Sequence, residues 1–395
     1  MSKNNPLPNK LTDEQQNIFD KIKKKLDVNS NYSALITGPA GTGKTVLLTH
    51  LAIKVRSERG IFFIYTNALR NYLNNAIGKH GTDITEMSTQ VETFYKWLFA
   101  VYRANVGGRF PQGDFNSKTE KMIEELQAVV KNDMIDFLLI DEGQDFSESV
   151  IKLFMKISKK IIFVGDENQS LYIKHREENG GLKELIYPNE EHELSLSIRI
   201  SPSILKFLRK YVFKIYGSLK TVKRDEDKDS RPLIYKNIEK KEFIDYFISN
   251  VAEQYIKADK NLAITCRHNE DVDEIYNKIK QEHQSLKIFR VTGDRDQEID
   301  FSDNAIFCIT MYSCKGLEFD NLLFMNIFNE ADDGLKLYNN LAYTAYTRAR
   351  EDLIIYSPTN DIPLTEYLDM DYATLVETLD NEDIDDDGYD EDDLI

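Results

Sequence analysis

Gly38-Pro39-Ala40-Gly41-Thr42-Gly43-Lys44-Thr45 fits the phosphate-loop pattern G-x-x-x-x-G-K-[ST]. Its surroundings suit the pattern: Ser33–Ile36 reads as an apolar strand, and an amphipathic helix over 44–58 opens at Lys44. Glycines allow successive backbone N–H groups to converge on phosphate oxygens, and the helix N-terminus adds a favourable dipole. All eight residues, Gly38, Pro39, Ala40, Gly41, Thr42, Gly43, Lys44 and Thr45, are therefore candidate nucleotide contacts. Lys44 supplies the charge for β- and γ-phosphates, and the Thr45 hydroxyl completes a Mg²⁺ shell.

Some hundred residues on, Phe137-Leu138-Leu139-Ile140-Asp141-Glu142 reads as a buried strand delivering two carboxylates at its C-terminal end. Ligands bind at that end of a parallel sheet. Asp141 is suited to hold Mg²⁺, and Glu142 to orient and deprotonate an attacking water. Together with the loop, the pair predicts Mg²⁺-dependent hydrolysis of a nucleoside triphosphate.

Short apolar runs alternate with amphipathic stretches on both sides of this centre, the pattern of parallel sheets covered by helices. Ile18, Phe19, Ile22 and Leu26 share one face of a helix over 12–28. Further strands are expected at Ile61–Tyr65 and Ile161–Val164, with helices near 91–101 and 146–158 and a surface loop over Tyr102–Ser117. The second half repeats the alternation. Its expected strands are Pro232–Tyr235, Leu262–Thr265, Lys287–Val291, Ala305–Thr310, Asn321–Phe324 and Leu353–Tyr356. Helices fit near 201–216, 240–257, 268–281 and 338–350.

The 395 residues suffice for two or three domains, and 41% hydrophobic with 30% charged residues is an ordinary globular balance. No apolar run reaches the ~18 residues of a membrane span. The basic start MSKNNPLPNK is followed by no apolar region, so a cytoplasmic location without a secretory signal is expected. Cys266, Cys308 and Cys314 lack metal-site spacing and read as buried thiols. The net charge is −17, but Asp380–Asp393 alone holds ten acidic and no basic residues, leaving −7 elsewhere. That remainder neither supports nor excludes nucleic acid, because local Lys and Arg decide.

Further motifs resemble the UvrD/Rep-type superfamily 1 helicases, in the family's order from residue 11 to residue 350. Leu11-Thr12-Asp13-Glu14-Gln15 is similar to the adenine-reading Q motif, with Gln15 as the base contact. Asp141-Glu142-Gly143-Gln144-Asp145 is a near copy of DEAQD. Gly165-Asp166-Glu167-Asn168-Gln169-Ser170-Leu171-Tyr172 resembles GDxxQSIY, where Gln169 senses the γ-phosphate. Ser313-Cys314-Lys315-Gly316-Leu317-Glu318-Phe319 resembles SxKGLEF, which implies nucleotide contacts at Gly316 and at Glu318, the ribose position. Tyr343-Thr344-Ala345-Tyr346-Thr347-Arg348-Ala349 resembles YVAxTRA, with Arg348 as an arginine finger, and Leu194–Ser201 is a looser match that puts Arg199 in a second arginine place.

The resemblance implies an α/β fold of two RecA-like P-loop domains, parallel sheets flanked by helices, with ATP in the cleft between them. The expected division is 1–192 with a small insertion at about 98–132, then 193–360, then an acidic C-terminal tail over 361–395, disordered when free. Arginines reaching in from the second domain stabilise charge on the transferring phosphoryl group and tie closure to the γ-phosphate.

Family likeness places strand contacts at Tyr65-Thr66-Asn67, Thr93-Phe94, Tyr172, Thr310 and Tyr312. Aromatic faces suit the task because base stacking is sequence-tolerant. The strand side also departs from the family: Lys174 and His175 replace an aromatic and an Arg, and Tyr95 and Tyr312 stand where His is usual. Short spacings between motifs imply reduced accessory domains. The expectation is an ATP- and Mg²⁺-dependent translocase on single-stranded DNA, with RNA as the other candidate. The implied direction is 3′→5′, with a partner needed for unwinding and no membrane association. The rival from another class is a nucleotide-gated subunit of a nuclease or another repair or phage-defence complex.

Overall fold

The structure is a computed structural model that describes residues 10–54, 59–65, 69–70, 73–74, 89–166, 169–170, 181–212, 220–221, 231–292, 299–301, 303–326, 335–358 and 372–379. Six strands form the first sheet: β1 (Tyr32–Thr37), β2 (Gly60–Ile64), β3 (Gln90–Thr93), β4 (Phe137–Ile140), β5 (Lys160–Gly165) and β6 (Glu190–Glu193). They lie in the order β3-β2-β4-β5-β1-β6, and every pairing is parallel.

Helices cover both faces, as a parallel sheet demands. On one face lie α1 (Asp13–Val28) and α2 (Lys44–Lys54), packed through Ile18, Ile22, Leu26, Leu47, Leu48 and Leu51. The other face carries α3 (Phe94–Asn105), α4 (Phe115–Val129) and α5 (Glu148–Ile157). Side chains obey the strand period of two: Phe137 and Leu139 of β4 face the first helix pair, Leu138 and Ile140 the second group. A short α6 (Leu182–Ile186) precedes β6.

Beyond β6, β7 (Leu196–Ser197) pairs with β8 (Lys220–Thr221). The second sheet contains β9 (Leu233–Lys236), β10 (Leu262–Cys266), β11 (Ile288–Val291), β12 (Ile306–Thr310), β13 (Phe319–Met325), β14 (Ala349–Ser357) and β15 (Thr374–Val376). Its order is β11-β12-β10-β13-β14-β9-β15, again all parallel. Helices α7 (Pro202–Phe207), α8 (Lys240–Tyr246), α9 (Glu253–Lys257), α10 (Asn269–Glu282) and α11 (Leu335–Tyr346) complete this half. The two halves touch: Ala40 of the phosphate loop sits in the apolar cluster of Ile200, Met311, Leu341 and Tyr343. No helix among the described residues is long and apolar enough to cross a membrane.

Four details depart from the sequence-based expectations. The helix expected from 91 begins at Phe94, because Gln90–Thr93 pairs with β2 as an edge strand. The expected loop over Tyr102–Ser117 is helical at both ends, since α3 runs to Asn105 and Asp114 caps α4 by accepting from the Asn116 and Ser117 N–H groups. Glu190–Glu193 is a strand despite its charge, bonded to β1 on one side only. Thr374–Val376 joins β9, so the second sheet extends past residue 360 into the segment expected as tail. The acidic stretch 380–395 lies outside the described residues.

Candidate nucleotide site and strand-binding rim

Three adjacent strands of the first sheet, β4, β5 and β1, end side by side and turn into the motifs. Gly41 and Gly43 of the loop after β1 both adopt φ of 77°, the left-handed region that glycine occupies without strain. A Cβ on Gly43 would stand 2.2 Å from Gln15 Nε2, and one on Gly41 would stand 2.5 Å from Ser197 Oγ. The loop is thus wedged between α1 and the 194–200 segment.

Gln15 shows how local sequence sets this wedge. Thr12 and Gln15 form a capping box that starts α1, with the Thr12 N–H donating to Gln15 Oε1 at 3.0 Å. The amide NH₂ then donates to the Thr42 carbonyl at 2.8 Å. Ile18, Ile22 and Leu26 continue the same helix face into the core, so one stripe both packs α1 and holds the loop.

Lys44 is 7% exposed and donates to the Gly38 carbonyl at 2.7 Å and the Pro39 carbonyl at 3.1 Å. Burial pushes its ammonium below the usual value, against the pull of Asp166, Glu142 and Asp141. The Thr45 hydroxyl donates to Asp141 Oδ2 at 2.7 Å. Burial and the charge of Glu142 push Asp141 up to about 7, while the Thr45 bond and Lys44 oppose. Two hard oxygen donors in contact at the start of α2 fit Mg²⁺, which prefers one or two carboxylates plus substrate phosphate oxygens.

Glu142 adopts a left-handed φ of 52°, which turns its side chain from the strand line into the cleft. Its Oε2 accepts from Gln144 Nε2 at 2.5 Å. Desolvation alone would raise its pKa, but Lys315, Lys44 and Arg348 hold it below the usual carboxylate range. Lys315 comes from the second half. It is 1% exposed, and its Nζ donates to Asp145 Oδ2 at 2.5 Å and the Gln169 carbonyl at 2.8 Å, with Glu142 Oε2 at 3.4 Å. The same ammonium lies 5.6 Å from the centre of the Tyr65 ring.

More groups cross between the halves. Arg348 donates to Gln169 Oε1 at 2.6 Å and, through Nε, to the Thr344 carbonyl at 2.9 Å. The Tyr343 hydroxyl accepts from the Ala40 N–H at 3.3 Å and donates to Asp166 Oδ2 at 3.2 Å. Asn340 Nδ2 donates to the Ser170 carbonyl at 2.6 Å. Arg199 is held differently: it pairs with Glu318 and donates to the Thr347 carbonyl at 3.4 Å, while its Cβ flanks Gly41. Gly316 adopts φ of 82°, and the atoms nearest its open side belong to Leu69. Gln15, Lys44, Thr45, Asp141, Glu142, Gln169 and Arg348 are thereby brought to one buried centre, with Arg199 and Glu318 paired at its edge.

Two of the expected strand-contact residues have their side chains engaged within the protein. Phe94 is 1% exposed, ringed by Phe63, Trp97, Phe146 and Phe154, and offers no face to a base. As the first residue of α3 it points at the sheet. The Thr310 hydroxyl is spent on its own turn, donating to Ser313 Oγ at 2.8 Å and accepting from the Ser313 N–H at 3.1 Å. Thr93 is buried at the end of β3 and opens α3. Tyr65 and Tyr312 remain half-buried at strand ends. Thr66, Asn67 and Tyr172 lie outside the described residues.

Sequence reasoning assigned no role to Lys315, Tyr343 or Arg267. Arg267 follows β10 with its guanidinium 5.1 Å from the Tyr312 ring centre and a hydrogen bond to the Tyr312 hydroxyl. A basic residue at the end of β10, the strand paired directly with the β12 that leads to Tyr312, was the available signal. Among the described residues no group of three or more His, Cys, Asp or Glu could hold a metal ion.

Residues 24–175 match the AAA domain family, and residues 305–356 match the UvrD-like helicase C-terminal domain. No curated protein sequence matches the chain. Among solved structures, the C-terminal domain of a possible DNA helicase from Lactobacillus plantarum is 17% identical, covering 45% of this chain and 98% of that one, with a TM-score of 0.34. An Arterivirus nonstructural protein 10 helicase is 15% identical over 88% of this chain, with a TM-score of 0.44, and the chain spans 64% of its length. The same viral helicase in complex with DNA gives 15% identity and a TM-score of 0.45, with 88% of this chain and 66% of that one covered. The two matched families cover the phosphate loop, both carboxylates and Lys315 through Arg348, and they support the resemblance to UvrD/Rep-like superfamily 1 helicases.

Proposed function

We propose that the chain is an ATP- and Mg²⁺-dependent translocase on single-stranded nucleic acid, with DNA favoured, moving 3′→5′ and needing a partner to unwind duplex. The observation that carries this reading is Lys315: one buried ammonium touches the acidic cluster of the hydrolysis centre and the Tyr65 ring at the strand rim. A group shared in that way lets the nucleotide state and strand occupancy bias each other.

In this reading the backbone of Gly38–Gly43 holds the phosphates of ATP, and Lys44 leaves the Gly38 and Pro39 carbonyls to neutralise them. Thr45 and Asp141 would hold Mg²⁺, which when bound would draw charge from the phosphate oxygens. Glu142, kept ionised by its cations, orients the water and takes its proton. Gln169 and Arg348 face the transferring phosphoryl group from the two halves, and Arg199 swings from Glu318 to join them. Gln15 reads the base, while Gly316 and Glu318 border the ribose. Tyr65, Thr66, Asn67, Tyr172 and Tyr312 form the strand track. The division into 1–192 and a second domain from 193, with reduced accessory elements, belongs to the same proposal, as does location in the cytoplasm.

Steady-state phosphate release tests the reading, measured with and without single-stranded DNA or RNA and with Lys44→Ala as the blank. Hydrolysis that needs Mg²⁺, disappears in the variant and rises with a polymer is the expected result. Equal release by parent and variant sinks the ATPase assignment.

A further inference from the structure

The α3–α4 region carries a surface of which only Tyr95 falls within a quoted motif. Tyr95, Phe99 and Arg103 recur every four residues, so they form one stripe along α3. This stripe flanks the core side made by Phe94, Trp97, Leu98 and Tyr102, with Tyr95, Phe99 and Phe110 partly buried against it. Phe110 and Lys118 pack onto it. Phe110 lies 5.2 Å from Phe99, Lys118 Nζ is 5.0 Å from the ring centres of both, and Arg103 is 5.6 Å from Phe110. At the upper end, Tyr95 meets Phe115 at 5.0 Å edge to face, and Phe115 is 52% exposed.

Its charge is opposite to that of the chain. Residues 94–121 hold Lys96, Arg103, Arg109, Lys118 and Lys121 against Asp114 and Glu120, a net +3 in a chain of −17. Both acids are already used: Asp114 caps α4, and Glu120 accepts from Ser147 and Ser149 at the start of α5. Lys96 is spent on an ion pair with Glu92 at 3.1 Å, so the positive charge beside the rings comes from Arg103, Arg109 and Lys118.

Position gives the stripe a direction. Ile64 and Thr93 are register partners at the ends of β2 and β3, so Tyr65 and Tyr95 both emerge just past the same edge of the sheet. Phe115, the first residue of α4, meets Tyr95 there.

We propose that Tyr95, Phe115, Phe110, Lys118, Arg103 and Arg109 form an accessory platform for single-stranded nucleic acid, continuing the rim outward from Tyr65. Bases stack on the exposed rings, above all Phe115, and phosphates pair with the flanking cations. The inference rests on the translocase reading and adds a second contact region to it. An acidic protein surface is the competing occupant, and the continuity with the Tyr65 end of the rim favours the nucleic acid.

Fluorescence anisotropy with oligonucleotides of about 10 and about 25 nucleotides separates the cases, since a bound strand occupies a limited footprint. Phe115→Ala and Arg103→Glu/Arg109→Glu are expected to weaken binding of the longer strand about fivefold or more, at the low end for one stacked base. The charge variant should also flatten the salt dependence. Both variants are checked for a parental melting temperature. Photocrosslinking with 5-bromodeoxyuridine strands should mark residues 95–121 of the parent chain. Undiminished affinity in both variants, with crosslinks confined elsewhere, overturns the platform and leaves the stripe to an acidic protein partner. Absence of strand binding by the parent chain overturns the translocase reading itself, and the platform with it.

Discussion

The nucleotide centre and the strand rim lie a few ångströms apart and are built on opposite terms. At the centre Lys44, Asp141, Glu142, Lys315 and Arg348 are all less than a tenth exposed, and each is bonded to another motif or turn. Along the rim Tyr65, Tyr95 and Tyr312 are half-buried, and the cations beside them lie over ring faces. Buried charge tolerates little change, because a lost partner leaves an unpaired ion in a poor solvent. Stacking tolerates more, since every base has a π-face. The motifs of the centre fit their expected spacings, while Tyr95 and Tyr312 stand at the rim where the resemblance implies His.

Substitutions can break this contrast or sharpen it. Arg348→Ala should lower the hydrolysis rate by ~10³–10⁵, the range for an arginine acting on a transferring phosphoryl group. A loss below tenfold in single-turnover release would make Arg348 a structural residue only. Glu142→Gln keeps the shape of the side chain and should cost ~10²–10⁴ in rate; near-parental turnover would move the base elsewhere. Lys315→Met leaves Glu142 and Asp145 without their shared counter-ion. Urea unfolding should register a loss of ~3–5 kcal/mol, and an unchanged midpoint would show that the buried ion pair is not needed. Tyr343→Phe strips the Ala40 N–H and Asp166 of one partner each, for ~1–3 kcal/mol by the same titration. Tyr312→Phe belongs to the rim and keeps its ring, so strand affinity should stay within about threefold; a larger drop would mean that the hydroxyl bond to Arg267 matters more than stacking.

Much of this was legible in the sequence. The apolar runs at β1, β2, β4 and β5 are buried on both sides, which is why they read as uninterrupted hydrophobic stretches. The phosphate loop and Asp141-Glu142 were legible because backbone geometry dictates their spacing. What escaped has physical reasons. Glu190–Glu193 carries charge because β6 is an edge strand, bonded only by β1, where Tyr32 donates to Glu190 at 3.1 Å. Gln90–Thr93 is four residues long and continuous with the apolar face of α3, so the helix signal absorbs it. Phe94 sits at a family strand-contact position, yet the periodicity of α3 turns it inward, and there packing outranks resemblance. Lys315 lay within a quoted motif, but its carboxylate partner is 170 residues away, a distance no local pattern crosses.

The rim and the centre are proposed to be coupled through the junction of the two halves. ATP turnover measured against single strands of increasing length tests it most directly. A rate that climbs with strand length, and a climb that Lys315→Met removes, is the predicted result. Turnover indifferent to DNA and RNA at every length would contradict the claim and leave a nucleotide-gated subunit answering to a protein partner.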